Sequence, residues 1–147
     1  MLSEDAMPTT AIQIGLDAEV IDYDSPDFAQ FAGLTEEGLR RANDDNLAGL
    51  RAAGYEVDNC LIGFGPAGIE TARRCLTAKR YDAVLIGAGV RLVAGNTLLF
   101  EAIVNAAHVS QPGARFVFNQ GAASTPKDIR RWYPDPARVA DPTIEVA

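Results

Sequence analysis

Short runs of apolar residues recur along the chain, and they have the composition and the spacing of β-strands. β-branched and aromatic residues are frequent within the runs, and glycine, proline or acidic residues lie between most of them. Residues 83–86 are apolar at every position, which is typical of a central strand that is buried on both faces. The pattern predicts strands at residues 10–16, 55–62, 81–89 and 114–119.

Segments with helical periodicity separate these strands. Residues 35–54 carry apolar residues three and four positions apart, with Thr35 predicted as the N-cap and Gly54 as the stop. A proline near its start favours a second helix at residues 66–79. We also predict a third helix at residues 96–109 and a fourth that begins near Thr125.

The alternation of strands and helices predicts a three-layer α/β/α sandwich. Strands joined by right-handed helical crossovers are parallel, and the helices then cover both faces of the sheet. For so short a chain we expect a mostly parallel sheet of four or five strands in the flavodoxin-like order 2-1-3-4. We place one α/β domain at residues 1–133 and an extended, proline-punctuated tail at residues 134–147.

Composition narrows the classes of partner. The chain has 147 residues and a net charge of −7, which does not favour a nucleic-acid surface or an anionic membrane. No apolar run approaches the roughly 18 residues that a membrane span needs. The first ten residues contain no lysine or arginine, so they lack the basic region of a signal peptide, and we expect a cytoplasmic protein. Cys60, Cys75 and the single histidine lack the spacing of a metal site.

Residues 63–72, GFGPAGIETA, contain the spacing G-x-G-x-x-G between a predicted strand and a predicted helix. A dinucleotide site of this kind needs an acid about 20 residues later, at the end of the next strand, to bind the ribose. That strand ends here in Gly-Ala-Gly. We therefore predict that Gly63 and Gly68 serve folding and that Gly65 caps the helix. A degenerate NAD(P)-binding domain, in which Arg91 meets the 2′-phosphate of NADP, is the alternative.

The carboxyl ends of the first and third strands form the switch point where ligands bind in sheets of this order. Arg91 follows the third strand, and residues 95–97 offer free N–H groups at the start of the third helix. A cation beside a helix N-terminus favours a phosphate or a carboxylate. We therefore predict a small anionic ligand. Its expected binding residues are Asp17, Gly87, Gly89, Arg91, Asn96, Thr97 and Asn119.

Two further regions lie outside the alternation. The loop at residues 17–33 is uncommonly long unless it acts as a lid or binding loop. In the tail, prolines exclude a continuous helix, and TIEVA at residues 143–147 favours a strand. We expect residues 135–147 to lie along the domain or to pair with a second chain as a homodimer. A frayed terminus is the alternative.

The segments YDAVLIGAGVR, FEAIVNAAH, PGARFVFN and IRRW are similar to small stand-alone bacterial Rossmann-like or flavodoxin-like proteins. The resemblance spans residues 55–132 and implies no activity or cofactor. If the protein is an enzyme, Asp17 or Glu101 is the expected general base, although no reaction type follows. A non-enzymatic interaction or oligomerisation module, which would use the tail or the helix faces, is the rival function.

Overall fold

A computed structural model of the protein describes residues 6–121 and 123–139. Its centre is a parallel sheet of four strands in the spatial order β3-β2-β4-β5. Because the short strand β1 precedes this sheet in sequence, the order is the predicted 2-1-3-4 with each strand number raised by one. The strands are β1 (Ala6–Pro8), β2 (Thr10–Leu16), β3 (Glu56–Ile62), β4 (Ala83–Ile86), β5 (Arg115–Phe118) and β6 (Ala137–Val139).

Helices cover both faces of the sheet, so the three-layer α/β/α architecture is confirmed. Helix α1 begins where predicted, since the hydroxyl of Thr35 accepts a hydrogen bond from the N–H of Gly38 at 3.0 Å. Gly54 follows α1 with φ +103°, a conformation that favours glycine. The α-helices are α1 (Glu36–Ala52), α2 (Gly65–Ala78), α3 (Ala88–Arg91), α4 (Thr97–Ser110) and α5 (Thr125–Asp128).

Alternate residues of the strands build two separate cores. The even-numbered positions of β2, namely Ile12, Ile14 and Leu16, pack with β4 against α2 and α4. The odd-numbered position Ala11 packs with Leu50 of α1 and with Ile129, which follows α5. We call these two sides the α2/α4 face and the α1/α5 face. At the carboxyl ends of the strands they differ in composition, and that difference forms the site described below.

The third predicted strand is shorter than expected. It ends at Ile86 rather than at Gly89, and α3 follows it directly. The N–H of Gly87 still donates to the carbonyl of Ile14 at 3.0 Å, but the N–H groups of Val90 and Arg91 turn back to the carbonyl of Gly87. The loop at residues 17–33 also contains two short 3₁₀ helices, at Ala18–Val20 and Pro26–Phe28.

The glycine motif has a steric basis at one position. A Cβ atom added at Gly68 would lie 2.0 Å from the carbonyl oxygen of Gly63, so the helix approaches the preceding loop as only glycine allows. The predicted cap is wrong by one residue, because Phe64 occupies the N-cap position and Gly65, with φ +68°, is the first residue of α2. Both features are local to the loop and the helix that follows it.

The first part of the tail lies along the domain. Strand β6 pairs antiparallel with β1, and Pro136 accepts a hydrogen bond from the N–H of Thr9 at 2.6 Å. The predicted strand at residues 143–147 lies outside the described residues, and the homodimer stays a prediction. Among the described helices, none has the length and hydropathy needed to cross a membrane.

Candidate functional site

A cavity of about 390 Å³ lies on the α1/α5 face at the carboxyl ends of the strands. Strands β2, β3, β4 and β5 contribute to its floor, α1 forms one wall, and the loop at residues 17–33 together with Leu34 forms its roof. Its volume is within the range of small-molecule pockets, and its position is the switch point of the sheet. The cavity therefore occupies the place that the strand order predicts for a ligand.

Glycine leaves space in the floor of the cavity. Positions 11, 13 and 15 of β2 point to the same side because side chains alternate along a strand. A Cβ atom added at Gly15 would have no described heavy atom within 4 Å beyond its chain neighbours. Gly87 of the adjacent chain segment also lines the cavity. A larger residue at position 15 would consequently occupy part of this volume.

A pair of carboxamides lies in the cavity lining. Gln13 of β2 is only 8% exposed, and its Nε2 donates to Oδ1 of Asn43 in α1 at 2.7 Å. The other polar atom of Gln13, Oε1, is buried and has no hydrogen-bond partner among the described residues. Leaving a buried acceptor unpaired costs about 1–3 kcal/mol. Further carboxamides in the lining are those of Asn46, Asn59, Asn119 and Gln120.

The roof is apolar and is attached to the rest of the domain. Ile21 and Phe28 are each 7% exposed and line the cavity together with Phe31. The side chain of Gln30 donates to the carbonyl of Leu92 at 2.8 Å, which ties the loop to the segment after α3. The Tyr23 hydroxyl donates to the carbonyl of Ala18 at 2.6 Å. Burial raises the pKa of Tyr23 and favours its protonated, donating form.

The charged residues in the lining are mostly acidic. Asp17 and Asp44 contribute carboxylates, and Arg40 is the one cation among the described lining residues. Its guanidinium lies 3.0 Å from the carboxylate of Glu36 and 4.0 Å from that of Glu19. The hydrogen bond with Glu36 raises the pKa of Arg40 above its ordinary value. The cation is thus already neutralised by side chains of the protein.

Four residues of the predicted site come together in this cavity. Asp17, Gly87, Gly89 and Asn119 all line it. The carboxylate of Asp17 accepts a hydrogen bond from the N–H of Glu19 at 2.9 Å, so it caps the first turn of the roof. A Cβ atom at Gly89 would lie 3.3 Å from Leu16, and the glycine keeps this corner of the cavity open.

Arg91 lies outside the cavity lining. Its guanidinium donates to the carbonyl of Ile86 at 2.9 Å, to the carbonyl of Asn119 at 2.7 Å and to Oδ1 of Asn119 at 2.9 Å. It also lies over the ring of Phe118, 4.9 Å from the centroid, on the α2/α4 face. Burial lowers the pKa of Arg91. The side chain links the ends of β4 and β5 and is not part of the cavity lining.

Asn96 and Thr97 are also separate from the cavity. The amide of Asn96 donates to the carbonyl of Gly89 at 2.9 Å, and the hydroxyl of Thr97 donates to the carbonyl of Ala94 at 2.8 Å. An oxygen of the Asp27 carboxylate lies 3.2 Å from where a Cβ atom at Gly95 would be. A carboxylate of the protein therefore already borders the predicted anion-binding segment.

Glu101 is exposed on α4 and does not line the cavity. Of the two predicted general bases, only Asp17 borders it. Within the described residues, no group of three or more His, Cys, Asp or Glu side chains is arranged to hold a metal ion.

The sequence analysis missed Gln13, Asn43 and Asn46. A signal for Gln13 was available, since TAIQIGL has one amide between apolar residues of a strand predicted to be buried. Asn43 and Asn46 are three positions apart, so they share a face of α1, and that face also carries Leu39 and Leu50. Polar residues on an otherwise apolar stripe of a helix indicate a buried polar contact or a cavity.

No protein-family model matches this chain, and no curated protein is significantly similar to it.

Proposed function

We propose that this protein binds a small molecule in the cavity on the α1/α5 face. The observation that carries the proposal is a cavity of about 390 Å³ at the carboxyl ends of the strands, in whose floor Gly15 leaves open space. Apolar walls with a few convergent polar groups are typical of ligand sites. A ligand would fill the space above Gly15 and contact the polar side chains of the lining.

The proposal keeps the predicted location but does not depend on Arg91. The side chains that were expected to bind an anion are hydrogen bonded to the protein on the other face or at the start of α4. Asp17, Asn119 and the glycines at positions 87 and 89 retain their proposed roles in the lining. Binding, rather than a particular reaction, is the function that these residues support best.

A screen by thermal shift tests the proposal. Nucleotides, flavins, sugar phosphates, small acids, nucleosides and neutral amides would be added separately, and each hit would be measured by isothermal titration calorimetry. We expect at least one saturable ligand. NADH and NADPH belong to the set, and saturable binding of either would favour the dinucleotide alternative.

A matched pair of glycine variants locates the binding site. Gly15→Val inserts a side chain into the cavity, whereas Gly63→Val adds the same volume outside its lining; a Cβ atom at either position has no described contact within 4 Å. We expect Gly15→Val to abolish binding and Gly63→Val to preserve it. A ligand whose affinity is equal in both variants would contradict this location of the site, and a screen without any hit would contradict the function.

A further inference from the structure

We propose that the cavity binds protonated amines that carry an apolar body, with the ammonium group beside Asp17 and the body between the roof and the floor. The inference rests on the proposed function, which supplies the site, and it assigns the ligand class. Three features support it, namely the distribution of charge along the chain, the charged groups of the lining and the apolar walls.

The negative charge of the chain is concentrated in the segments that enclose the cavity. Residues 17–46, which include the roof loop and the first part of α1, contain nine acidic residues and two arginines. They account for the whole net charge of −7, because acidic and basic residues are equal in number over the rest of the chain. A cleft bordered by one sign of charge raises the local concentration of ligands with the opposite sign. The cavity should therefore favour cations.

The lining itself has an excess of carboxylates. The hydrogen bond with Glu36 raises the pKa of Arg40 most, and the charges of Glu19 and Asp17 raise it further, so three carboxylates share one guanidinium. Asp44 adds a fourth carboxylate. None of the ion pairs among the described residues includes Asp17 or Asp44. A cation, rather than the small anion expected from the sequence, would supply the counter-charge that this lining lacks.

Asp17 is held at the junction of the floor and the roof. Its N–H donates to the carbonyl of Ile62 at 2.9 Å, and Oδ1 of its side chain accepts from the N–H of Glu19 at 2.9 Å. A carboxylate can accept about four hydrogen bonds, so this one retains capacity for the N–H groups of an ammonium. Asp17 is half-buried, whereas Asp44 is exposed, and an ion pair is weakened less where water is partly excluded. We therefore expect the ammonium at Asp17.

The walls favour an apolar body over an inorganic cation. Phe28 and Phe31 of the roof, with ring centroids 6.3 Å apart, line the cavity together with Leu85 and Val117 of the floor. A ring or an aliphatic chain buried against these side chains would add affinity that a small ion cannot gain. Hard metal cations also need about six or more oxygen ligands, and within the described residues no group of three or more His, Cys, Asp or Glu side chains is arranged to hold one.

Four probes separate the contribution of the charge from that of the body. Tryptamine carries a protonated amine on an indole ring, tryptophol carries a hydroxyl group in place of the amine, and indole-3-propionate carries a carboxylate there. Ethylamine has the charge without the ring. By calorimetry, we expect tryptamine to bind at least about tenfold more tightly than each of the others, since a hydrogen bond between charged groups contributes about twice as much as a neutral one and the ring adds buried apolar area.

The dependence on salt provides a second measurement. Added sodium chloride should weaken tryptamine binding and leave tryptophol binding unchanged, because salt screens the carboxylates around the cavity. Tryptamine binding that salt does not change would overturn the ligand class. Equal or tighter binding of tryptophol, indole-3-propionate or ethylamine would also overturn it.

A matched pair of variants assigns the selectivity to Asp17. Asp17→Asn removes the charge and keeps the shape of the side chain, and asparagine caps a helical turn as well as aspartate does, so the roof should fold unchanged. Asp45→Asn removes the same charge from an exposed position of α1 that does not line the cavity.

The two variants should differ in tryptamine binding. We expect Asp17→Asn to weaken it about tenfold while changing tryptophol binding less than threefold, as the loss of one charged hydrogen bond does. Asp45→Asn should change the binding of both probes less than threefold. If the two substitutions have equal effects on tryptamine binding, the assignment to Asp17 is wrong.

The two levels of the proposal fail differently. If other compounds bind and Gly15→Val abolishes their binding, but tryptamine does not bind or binds no better than its analogues, the proposed function stands and the ligand class is wrong. If neither tryptamine nor any compound of the wider screen binds, the proposed function fails, and the ligand class fails with it.

Discussion

The two faces of the sheet are built from alternate residues of the same strands, yet next to the sheet one is filled by aliphatic side chains and the other contains a cavity. On the α2/α4 face, Ile12, Ile62 and Val84 are at most 1% exposed and fill the space next to the sheet. On the α1/α5 face, the corresponding end carries Gly15, Gly87 and the amide of Asn119. The backbone is shared, so the volume and polarity of the side chains make the difference.

This comparison shows how a layered fold obtains a site without losing its core. The α1/α5 face is also packed near the amino ends of the strands, where Ala11, Val57 and Ala83 belong to one core with Leu50. Only the residues at the carboxyl end of each strand depart from that packing. Most of the packing energy is therefore assigned to one set of side chains and ligand contact to another, so a substitution in the packed set should change stability more than ligand affinity.

The largest effect is expected from opening the packed α2/α4 face. Ile12→Ala removes a side chain that is 1% exposed and leaves a cavity between the sheet and the helices of that face. We expect it to lower the free energy of unfolding by about 2–5 kcal/mol in urea titrations. Leu61→Ala is the control on the α1/α5 face, where Leu61 is 40% exposed, and should cost less than about 1 kcal/mol. Equal losses in the two variants would contradict the contrast between the faces.

The next largest loss of stability is expected in the loop after β5, which forms part of the cavity lining. The carboxylate of Asp128, only 1% exposed, accepts hydrogen bonds from the N–H of Gln120 at 3.0 Å, from the hydroxyl of Ser124 at 2.5 Å and from Arg131. We expect Asp128→Asn to cost about 2–3 kcal/mol, as removal of charged hydrogen bonds does. Chemical unfolding at neutral pH measures the loss.

The same residue should make stability depend on pH. Burial alone would raise the pKa of Asp128, but its hydrogen bonds with Ser124, Gln120 and Arg131 outweigh that and lower the pKa below its ordinary value. The stabilisation is therefore complete above the unfolded pKa of about 4 and is lost as the pH falls through the folded value. The stability difference between the unmodified protein and Asp128→Asn should narrow below pH 4. A difference that is constant from pH 6 to pH 3 would exclude this role.

A smaller effect is expected at Arg91, and it tests to which face the arginine belongs. Because its guanidinium binds the carbonyl groups at the ends of β4 and β5, Arg91→Ala should lower stability by about 1–2 kcal/mol. Ligand affinity in the cavity should change less than threefold, since the side chain does not line it. Both quantities can be read from one thermal-shift titration. Unchanged stability with a large loss of affinity would restore the predicted anion-binding role.

The smallest expected effect is a gain in stability. Gly15→Ala adds a methyl group where a Cβ atom meets no described neighbour and the φ value is not positive. Because alanine restricts the unfolded chain, we expect stability to rise by up to about 1 kcal/mol, while ligand affinity falls. Urea unfolding and calorimetry on the same preparation would measure the two changes. A loss of stability would mean that position 15 is already packed.

Much of the fold could be predicted from the sequence because it depends on local patterns. The strand at residues 10–16 and the helix from Thr35 to Gly54 follow from periodicity and capping, and the parallel sheet follows from the alternation of elements. The predicted strand at residues 81–89 was too long, because the hydrogen bonds that turn the chain at Gly87 are not visible in an apolar run.

The candidate site was predictable in its location and not in its chemistry. The strand order determines where the carboxyl ends meet, and both Asp17 and Asn119 line the cavity at that place. Position in the sequence also brought Arg91 close to this edge, but it did not reveal which face of the sheet its side chain joins. That choice depends on the carbonyl groups and the Phe118 ring that the folded chain places within reach of the guanidinium.

By itself, the sequence determined the alternation of elements, the end of α1 at a glycine and the two sets of strand residues that face opposite ways. These properties arise from contacts between residues close in the chain, or from a period of two that holds for any strand. The tertiary structure alone decided that Gln13 meets Asn43, 30 positions away, and that the roof loop leaves space above Gly15. Such outcomes depend on how volumes fit between separate elements, and no local pattern encodes that fit.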